Sequence, residues 1–278
     1  MNTTGKMEIG LSYFEPGSST SLTDGYLHCK TVPCCIFAQV LEGRYEIRCQ
    51  GRFEKVERGE AFLTPPSVPM EIMHRSLSGS RKTMSARWIH FDFRTLGGME
   101  ALSLLEMPLR VPAKEAEPIG KLVASALELP EMQGNPIALE ARRQELAFGI
   151  LRRLGEFCKL REGALELLGD SRLAALCEAI RREPGKAYSV GSLAKEASLS
   201  APRLHSYLRE RLDVTPMGLV RRIRMRLAAE ALMAGDLKLE ALAERLGFAN
   251  QFHFSRVFKS FYAESPSEYR RKRFGFTQ

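Results

Sequence analysis

The chain has 278 residues, 41 Lys+Arg against 33 Asp+Glu for a formal charge of +8, and 44% hydrophobic residues with 22 Gly and 14 Pro. That composition excludes a disordered, collagenous or disulfide-scaffold protein, and the length suggests about two domains with adequate cores. The charge is not spread evenly: residues 170–278 carry 20 basic and 12 acidic side chains, whereas residues 1–169 carry 21 of each. A basic C-terminal part behind a neutral one points to a polyanionic partner, nucleic acid ahead of an anionic membrane surface. No apolar run approaches the roughly 18–20 residues that span a bilayer, and Met1–Gly10 lacks a basic stretch followed by an apolar one, so a cytoplasmic protein with no membrane partner is expected. The six cysteines (Cys29, Cys34, Cys35, Cys49, Cys158, Cys177) include an adjacent pair and no C-x-x-C. They offer neither a disulfide framework nor zinc-ligand spacing, and reduced thiols are expected.

Residues 20–95 read as β-structure. Segments 34–41, 45–49, 61–63 and 87–93 are rich in β-branched and aromatic residues, and Glu42-Gly43, Gln50-Gly51, Arg58-Gly59 and Pro65-Pro66-Ser67-Val68-Pro69 separate them. Short strands between frequent turns predict a sandwich or small barrel. After Gly97-Gly98 the spacing turns helical, with helices predicted over 115–129 and 137–160. In the second, Leu139, Leu146, Ile150, Leu154 and Phe157 form an apolar stripe that can cover the barrel and also meet a second copy of the chain. From Ser171 onward everything reads as short helices. The first, over 172–182, stops at Glu183-Pro184-Gly185. Ser189 caps 190–197, and Ser200 caps 201–211 with Pro202 in its first turn. Pro216 opens a helix through Met233 that Gly235-Asp236 ends, and 239–246, 250–260 and 266–272 follow.

This region repeats itself. Leu193-Ala194-Lys195-Glu196 matches Leu242-Ala243-Glu244-Arg245 at an offset of 49, and Leu204, Leu208, Arg209 and Pro216 match Phe254, Phe258, Lys259 and Pro266 at an offset of 50. Each copy is helix, short turn, helix, the plan whose second helix enters the major groove of DNA. A connector of about 18 residues is roughly 27 Å long, close to the 34 Å turn of B-DNA, so both reading helices could reach successive grooves.

Residues 172–273 resemble the AraC/XylS-type DNA-binding domain. The resemblance is carried by Leu246-Gly247-Phe248-Ala249-Asn250-Gln251-Phe252-His253-Phe254-Ser255-Arg256-Val257-Phe258-Lys259 and Ser265-Pro266-Ser267-Glu268-Tyr269-Arg270. It implies a transcription regulator that binds double-stranded DNA and, by the family default, contacts RNA polymerase as an activator, with repression the other option. It also implies that Gln251, Phe252, Ser255 and Arg256 read bases or position the second reading helix. Their chemistry suits this: Gln bonds adenine, Arg forks onto guanine, Ser serves either, and Phe packs on a thymine methyl. On the first reading helix the corresponding face is Pro202, Arg203, His205 and Ser206, with Arg209, like Lys259 opposite it, directed to phosphate. Ser206 and Pro202 depart from the family pattern, so readout there rests on Arg203 and His205. Leu204, Leu208, Phe254, Val257 and Phe258 are core candidates, and Phe252 is open between groove contact and packing. Arg221, Arg222, Arg224 and Arg226 on the connector and Arg270-Arg271-Lys272-Arg273 at the end are candidates for phosphate contact, or for pairing with Glu230 and Glu268.

Residues 20–95 resemble, more weakly, the cupin-like sensor of such regulators, through Val40-Leu41-Glu42-Gly43, Val56-Glu57-Arg58-Gly59-Glu60-Ala61-Phe62-Leu63 and the proline-rich turn. Metal-binding cupins have histidines where this chain has Pro33-Cys34-Cys35-Ile36-Phe37 and Met70, so no metal, cofactor or catalytic set is expected. In Arg87-Trp88-Ile89-His90-Phe91-Asp92-Phe93 the alternation puts Trp88, His90 and Asp92 on one face. Trp88 also falls where a sugar-responsive member of the family has its stacking tryptophan. A small-molecule effector, a sugar or related polyol, is therefore assigned to Trp88, His90 and Lys30, with His28 and Arg44 as weaker candidates. The alternative is that Trp88 caps the core and His90 bonds a backbone carbonyl.

The expected fold is α+β: a cupin-like β-barrel sensor over 1–98, a helical linker and dimerisation segment over 99–168, and an all-α double helix-turn-helix domain over 169–278, assembled as a homodimer. The expected function is a non-enzymatic, sequence-specific DNA-binding regulator controlled by a small molecule. Two alternatives stand beside it, a cupin-type sugar-processing enzyme with accessory DNA binding and a ligand-independent regulator.

Overall fold

The computed structural model describes residues 9–66, 68–76, 83–95, 100–129, 133–164, 166, 170–212, 214–235, 237–262 and 264–274. Ser67, Gly97, Gly98 and Asp236 of the turn signals, and the side chains of Lys272 and Arg273, lie outside the described residues. The chain divides into two compact units, residues 9–94 with 100–162 and residues 163–278.

The first unit contains β1 (Ile9–Thr23), β2 (Leu27–Lys30), β3 (Cys35–Glu42), β4 (Arg44–Cys49), β5 (Arg52–Val56), β6 (Ala61–Thr64), β7 (Met70–Arg75), β8 (Thr83–Thr95), β9 (Leu105–Glu106), β10 (Arg110–Val111), α1 (Ala113–Leu127), α2 (Pro136–Phe157) and β11 (Lys159–Leu160). A five-stranded sheet runs β1-β8-β3-β6-β10, a four-stranded one β2-β7-β4-β5, and β9 pairs with β11. β3 lies antiparallel to both β6 and β8, and β4 to both β5 and β7. The two larger sheets face each other as a barrel-like sandwich that does not close.

Period-two alternation explains which residue goes where. Along β3, Ile36, Ala38 and Val40 join Tyr45, Ile47, Phe62 and Ile72 between the sheets. Cys35 and Phe37 point the other way and join Ile89, Phe91 and Phe93 of β8 under Ile119, Val123, Ile150 and Leu154 of the helices. β3 therefore reads as a continuous apolar run, as a strand buried on both faces does. The stripe on α2 is used here: Leu146, Ile150 and Leu154 are buried against the sheet, with Leu139 and Phe157 partly buried. The face of α2 turned to solvent instead carries the pairs Arg142–Glu145, Arg143–Glu140 and Arg152–Glu156.

β-structure begins at Ile9 rather than near residue 20. β1 has a loop-like composition, with Pro16-Gly17-Ser18-Ser19 in its middle. It is an edge strand beside β8, where proline is tolerated, and Gly17 lies so close to the Trp88 indole that no side chain would fit. β5 and β7 are polar on alternate positions and lack the β-branched enrichment that marks the other strands.

The second unit contains α3 (Ser171–Arg182), α4 (Val190–Glu196), α5 (Ala201–Leu212), α6 (Pro216–Ala234), α7 (Leu239–Arg245), α8 (Gln251–Tyr262) and α9 (Pro266–Phe274). Each boundary lies within a few residues of the capping signals. Ser189 and Ser192 form a reciprocal capping box, Thr215 caps α6 ahead of Pro216, and Gly235 ends it with φ 95°.

Polar side chains also enter the sandwich. His74 stacks on His28 with centroids 4.7 Å apart and meets Tyr45 edge-on at 5.2 Å. Burial first, and the Lys30 amine second, push the His74 pKa down from 6.5 to about 4. Because the folded value lies below the unfolded one, the unfolded chain takes up the proton first, and stability is lost as pH falls from about 6.5 toward 4. Replacing His74 with Phe keeps the ring contacts and removes this proton. Thermal melts of H74F should show the loss between pH 7 and pH 4 reduced by roughly 5 °C relative to wild type; parallel curves for the two proteins would contradict the burial of a neutral imidazole.

Candidate nucleic-acid interface

The repeat seen in the sequence is a repeat of hydrogen bonds. In the first motif Ser198 N bonds Lys195 O at 3.0 Å and Leu199 N bonds Ala194 O at 2.8 Å; in the second Gly247 N bonds Glu244 O at 2.9 Å and Phe248 N bonds Ala243 O at 2.9 Å. Ser198 and Gly247 occupy the same left-handed turn position, at φ 53° and 73°. After the turn, Leu204 N bonds Ser200 O and Phe254 N bonds Asn250 O, and later Leu219 N bonds Thr215 O and Tyr269 N bonds Ser265 O. The offset is thus 49 through Leu199 and 50 from Ser200 onward, which identifies Ala249 as the inserted residue.

Burial divides each reading helix into two faces. On α5 Leu204, Tyr207 and Leu208 are buried, and on α8 Phe254, Phe258 and Tyr262. The second motif is packed by rings: Phe258 lies 4.6 Å from Tyr262 and 5.2 Å from Tyr269, and the Tyr262 hydroxyl donates to Met225 O of α6 at 3.3 Å. Val257 is only partly buried.

The outward faces hold the residues singled out from sequence. Arg203, His205, Ser206 and Arg209 are exposed on α5; Phe252, Arg256 and Lys259 are exposed on α8, with Gln251 and Ser255 half-buried. Phe252 is 73% exposed, so it is not a packing residue. The Ser206 hydroxyl turns back to Pro202 O at 3.4 Å, a weak helix back-bond that leaves it free to rotate outward. His253 shares this outward face. It is exposed and stands opposite Arg203 at the offset of 50, so the repeat itself was the signal that could have found it.

The connector arginines separate into two kinds. Arg221 and Arg222 are exposed. Arg226 is 5% exposed and pairs with Glu230 at 3.2 Å, and Arg224 donates to two backbone carbonyls, Pro184 O at 2.6 Å and Lys186 O at 2.7 Å. The Arg226 guanidinium is thus buried with its partner, while that of half-buried Arg224 is held by the two carbonyls. At the end of the chain, Arg270 bonds Leu237 O at 2.5 Å, and Arg271 is exposed.

In the first unit Trp88, His90 and Asp92 share the inner face of β8, as the alternation requires. Trp88 is half-buried between Gly17 on one side and His90, whose ring lies 4.8 Å away; its Nε1 donates to Ser19 Oγ at 3.3 Å. Asp92 is buried, accepts from Ser12 Oγ at 2.6 Å and pairs with Arg94 at 3.4 Å. Lys30 enters from β2. Burial pushes its amine down to about 8, against a smaller opposing effect of Cys34. Arg44 is engaged by Glu46 at 3.1 Å on β4. Thr64 Oγ1 and His74 Nδ1 are buried without a hydrogen-bond partner among the described residues.

Residues 193–272 match the family described as a helix-turn-helix domain. An uncharacterized HTH-type transcriptional regulator of Haemophilus influenzae is 28% identical over 257 residues, covering 85% of this chain and 86% of that one. The HTH-type transcriptional activator RhaS of Escherichia coli is 33% identical over 87 residues, 31% of each chain. Among solved structures, unsaturated fatty acid bound ToxT from Vibrio cholerae superposes with a TM-score of 0.56 at 15% identity, covering 97% of both chains, a likeness of fold alone. No helix among the described residues is long and apolar enough to cross a membrane.

The exposure of Phe252 separates it sharply from its neighbour two positions on. Phe252→Ala should leave chemical-denaturation stability within about 0.5 kcal/mol of wild type, whereas Phe254→Ala should cost about 3–5 kcal/mol. Comparable losses for the two would mean that the ring at 252 is packed.

Proposed function

We propose that the chain, with an AraC-type double helix-turn-helix domain as its second unit, is a sequence-specific, cytoplasmic DNA-binding activator of transcription controlled by a small molecule held in its first unit. The observation that carries the DNA reading is the matched exposure of two equivalent helix faces on α5 and α8, in the part of the chain that holds all of the net charge. Arg203, His205 and Ser206 on α5, and Gln251, Phe252, Ser255 and Arg256 on α8, meet base edges, with Arg256 forking onto a guanine. Arg209, Lys259, Arg221 and Arg222 meet phosphates, which fix register without reading sequence. α6, at 19 residues about 28 Å long, suits two successive grooves. Residues 1–98 sense, 99–168 link and dimerise, and 169–278 bind DNA.

The chain works as a homodimer. With the apolar stripe of α2 taken by the sheet, self-association uses the outward groove between α1 and α2, about 770 Å³, where Leu122 and Phe148 lie among Lys121, Arg142, Arg152 and Arg153. Activation runs through contact with RNA polymerase; similarity to RhaS, an HTH-type transcriptional activator, supports the activating role. The effector changes DNA binding only by its difference in affinity for the DNA-competent and incompetent states.

Hydrogen-bonding groups inside the sandwich support a polar effector of sugar or polyol size at Trp88, His90 and Lys30. A polyol would exchange with the Gly17 and Ser19 contacts for the indole and use the open valences of Thr64 and His74. A second reading, an acid with an apolar tail, is favoured by the Lys30 amine together with the apolar side chains packed between the sheets; the unsaturated fatty acid bound to ToxT belongs to that protein.

The base-reading assignment is tested by footprinting and affinity on a duplex selected from random sequence. Arg256→Ala should relax preference at one base pair by about 1–3 kcal/mol, while Arg221→Ala should weaken all sequences alike and reduce the salt slope by about one. A dimer protects two such blocks and a monomer one; unchanged preference in R256A would show that α8 is not the reading helix. For the effector, melting temperature across a panel of sugars, polyols and fatty acids should rise with one class. A polyol response should vanish in Trp88→Ala and an acid response in Lys30→Gln, and a flat panel would leave the ligand-independent regulator standing.

A further inference from the structure

Arg224 lies at the middle of α6 and is half-buried. Its Nε and Nη2 edge donates to Pro184 O and Lys186 O, the two carbonyls that flank Gly185. Burial lowers its pKa, opposed in part by Tyr188; the bond to Pro184 is part-buried, where a charge-assisted bond counts most, and the bond to Lys186 is nearer the surface. Gly185 in turn lies flat on the second helix-turn-helix. A β carbon on Gly185 would sit 2.9 Å from Arg245 O at the end of α7, and one on Gly247 would sit 2.5 Å from Gly185 O. Gly247 is the left-handed residue of the α7–α8 turn, at φ 73°. Two stretches of bare backbone therefore meet, and Arg224 grips one of them from behind.

The gripped turn also belongs to the first motif. Lys186 N bonds Glu183 O at the end of α3, Tyr188 donates its hydroxyl to Ala179 O at 2.8 Å, and the next residue, Ser189, caps α4. One short segment, 184–189, thus touches α3, the start of the first motif, the connector and the turn of the second motif. Resting on the reading of α5 and α8 as the two base-reading helices, we propose that Arg224 is a positioning residue for DNA recognition. Its two carbonyl bonds join connector, 184–186 turn and α7–α8 turn into one block, which holds α5 and α8 at the fixed spacing needed to engage two groove segments at once. A lysine would supply one point charge rather than two parallel donors and would not hold both carbonyls.

The test uses the full-length protein and the duplex that wild type selects from random sequence, together with two derivatives, one with the α8-side segment scrambled and one with a base pair inserted between the segments. Arg224→Lys should lose about tenfold on the intact duplex, the worth of one charge-assisted hydrogen bond. It should bind the scrambled duplex within about twofold of wild type and be less sensitive to the insertion. Gly247→Ala, which forces the same contact apart from the other side, should reproduce this pattern. Equal losses on intact and scrambled duplexes, with a lowered melting temperature, would overturn the proposal by making Arg224 a support of the fold only. Equal losses with a salt slope smaller by about one would overturn it in favour of a phosphate contact, and unchanged binding of both variants would overturn it outright. Selection that enriches no two-segment duplex with wild type would instead remove the two-helix reading on which the proposal stands.

Discussion

The five-stranded sheet has to be covered on both faces, and the architecture of the first unit follows from that requirement. Its central strands β3, β6 and β8 alternate apolar side chains to each side: Ile36, Ala38, Phe62 and Ala86 one way, Phe37, Leu63, Ile89 and Phe91 the other. A sheet with one polar face could stand with a single partner layer. This one needs the four-stranded sheet against one face and α1 with α2 against the other. At about 25 cal/mol per Å² of apolar area, leaving either face open would forgo a large part of the stability of a unit this size. The same requirement takes up the α2 stripe, so the helix faces solvent with arginine–glutamate pairs instead.

The second unit solves a different problem, because its helices are short and none would be stable alone in water. Caps and buried pairs define each motif, with Leu204 and Leu208 in one and Phe254 and Phe258 in the other. What joins the motifs is backbone contact at Gly185 and Gly247 and the arginine behind it. A glycine is required at each place because a β carbon would meet a carbonyl oxygen, and at Gly247 the positive φ adds a second reason. Polar bonds from Tyr262 to α6, from Arg224 of α6 to the 184–186 turn, and from Arg270 to the loop after α6 complete the block. The outward faces of α5 and α8 then keep their side chains exposed, which is the condition for them to be available to a partner.

Much of this was legible in the sequence because the signals are local. Ser189 and Ser200 announce helix starts through bonds to the next few amides, Pro216 opens the connector, and the apolar period announces the buried face. Strands with local enrichment, β3 and β8, were equally legible. β1 was not, because Pro16, Gly17 and the serines around them read as loop until the Trp88 ring across the sheet gives Gly17 its reason. β7 was not, because its inward residues are Met70, Ile72 and His74, and a histidine marks an inner face only when something else buries it. The candidate site follows the same division: Arg203 and Arg256 could be named from the family resemblance, whereas the exposure of Phe252 could not.

The excess of eight positive charges shows the boundary between the two kinds of information. The sequence by itself determined that all of it lies in residues 170–278 and that this part is a repeated helix-turn-helix, since charge counts, caps and an internal offset are properties of residues near one another in the chain. It could not distinguish Arg221 and Arg222 from Arg224 and Arg226, four cations within one and a half helical turns. Only the tertiary structure decided that the first two face solvent, that Arg226 pairs in the interior with Glu230 and that Arg224 holds a turn about 40 residues away. The reason is that a cation's role is set by the nearest acceptor in space, and for Arg224 those acceptors are backbone carbonyls, which every residue carries and no sequence pattern marks.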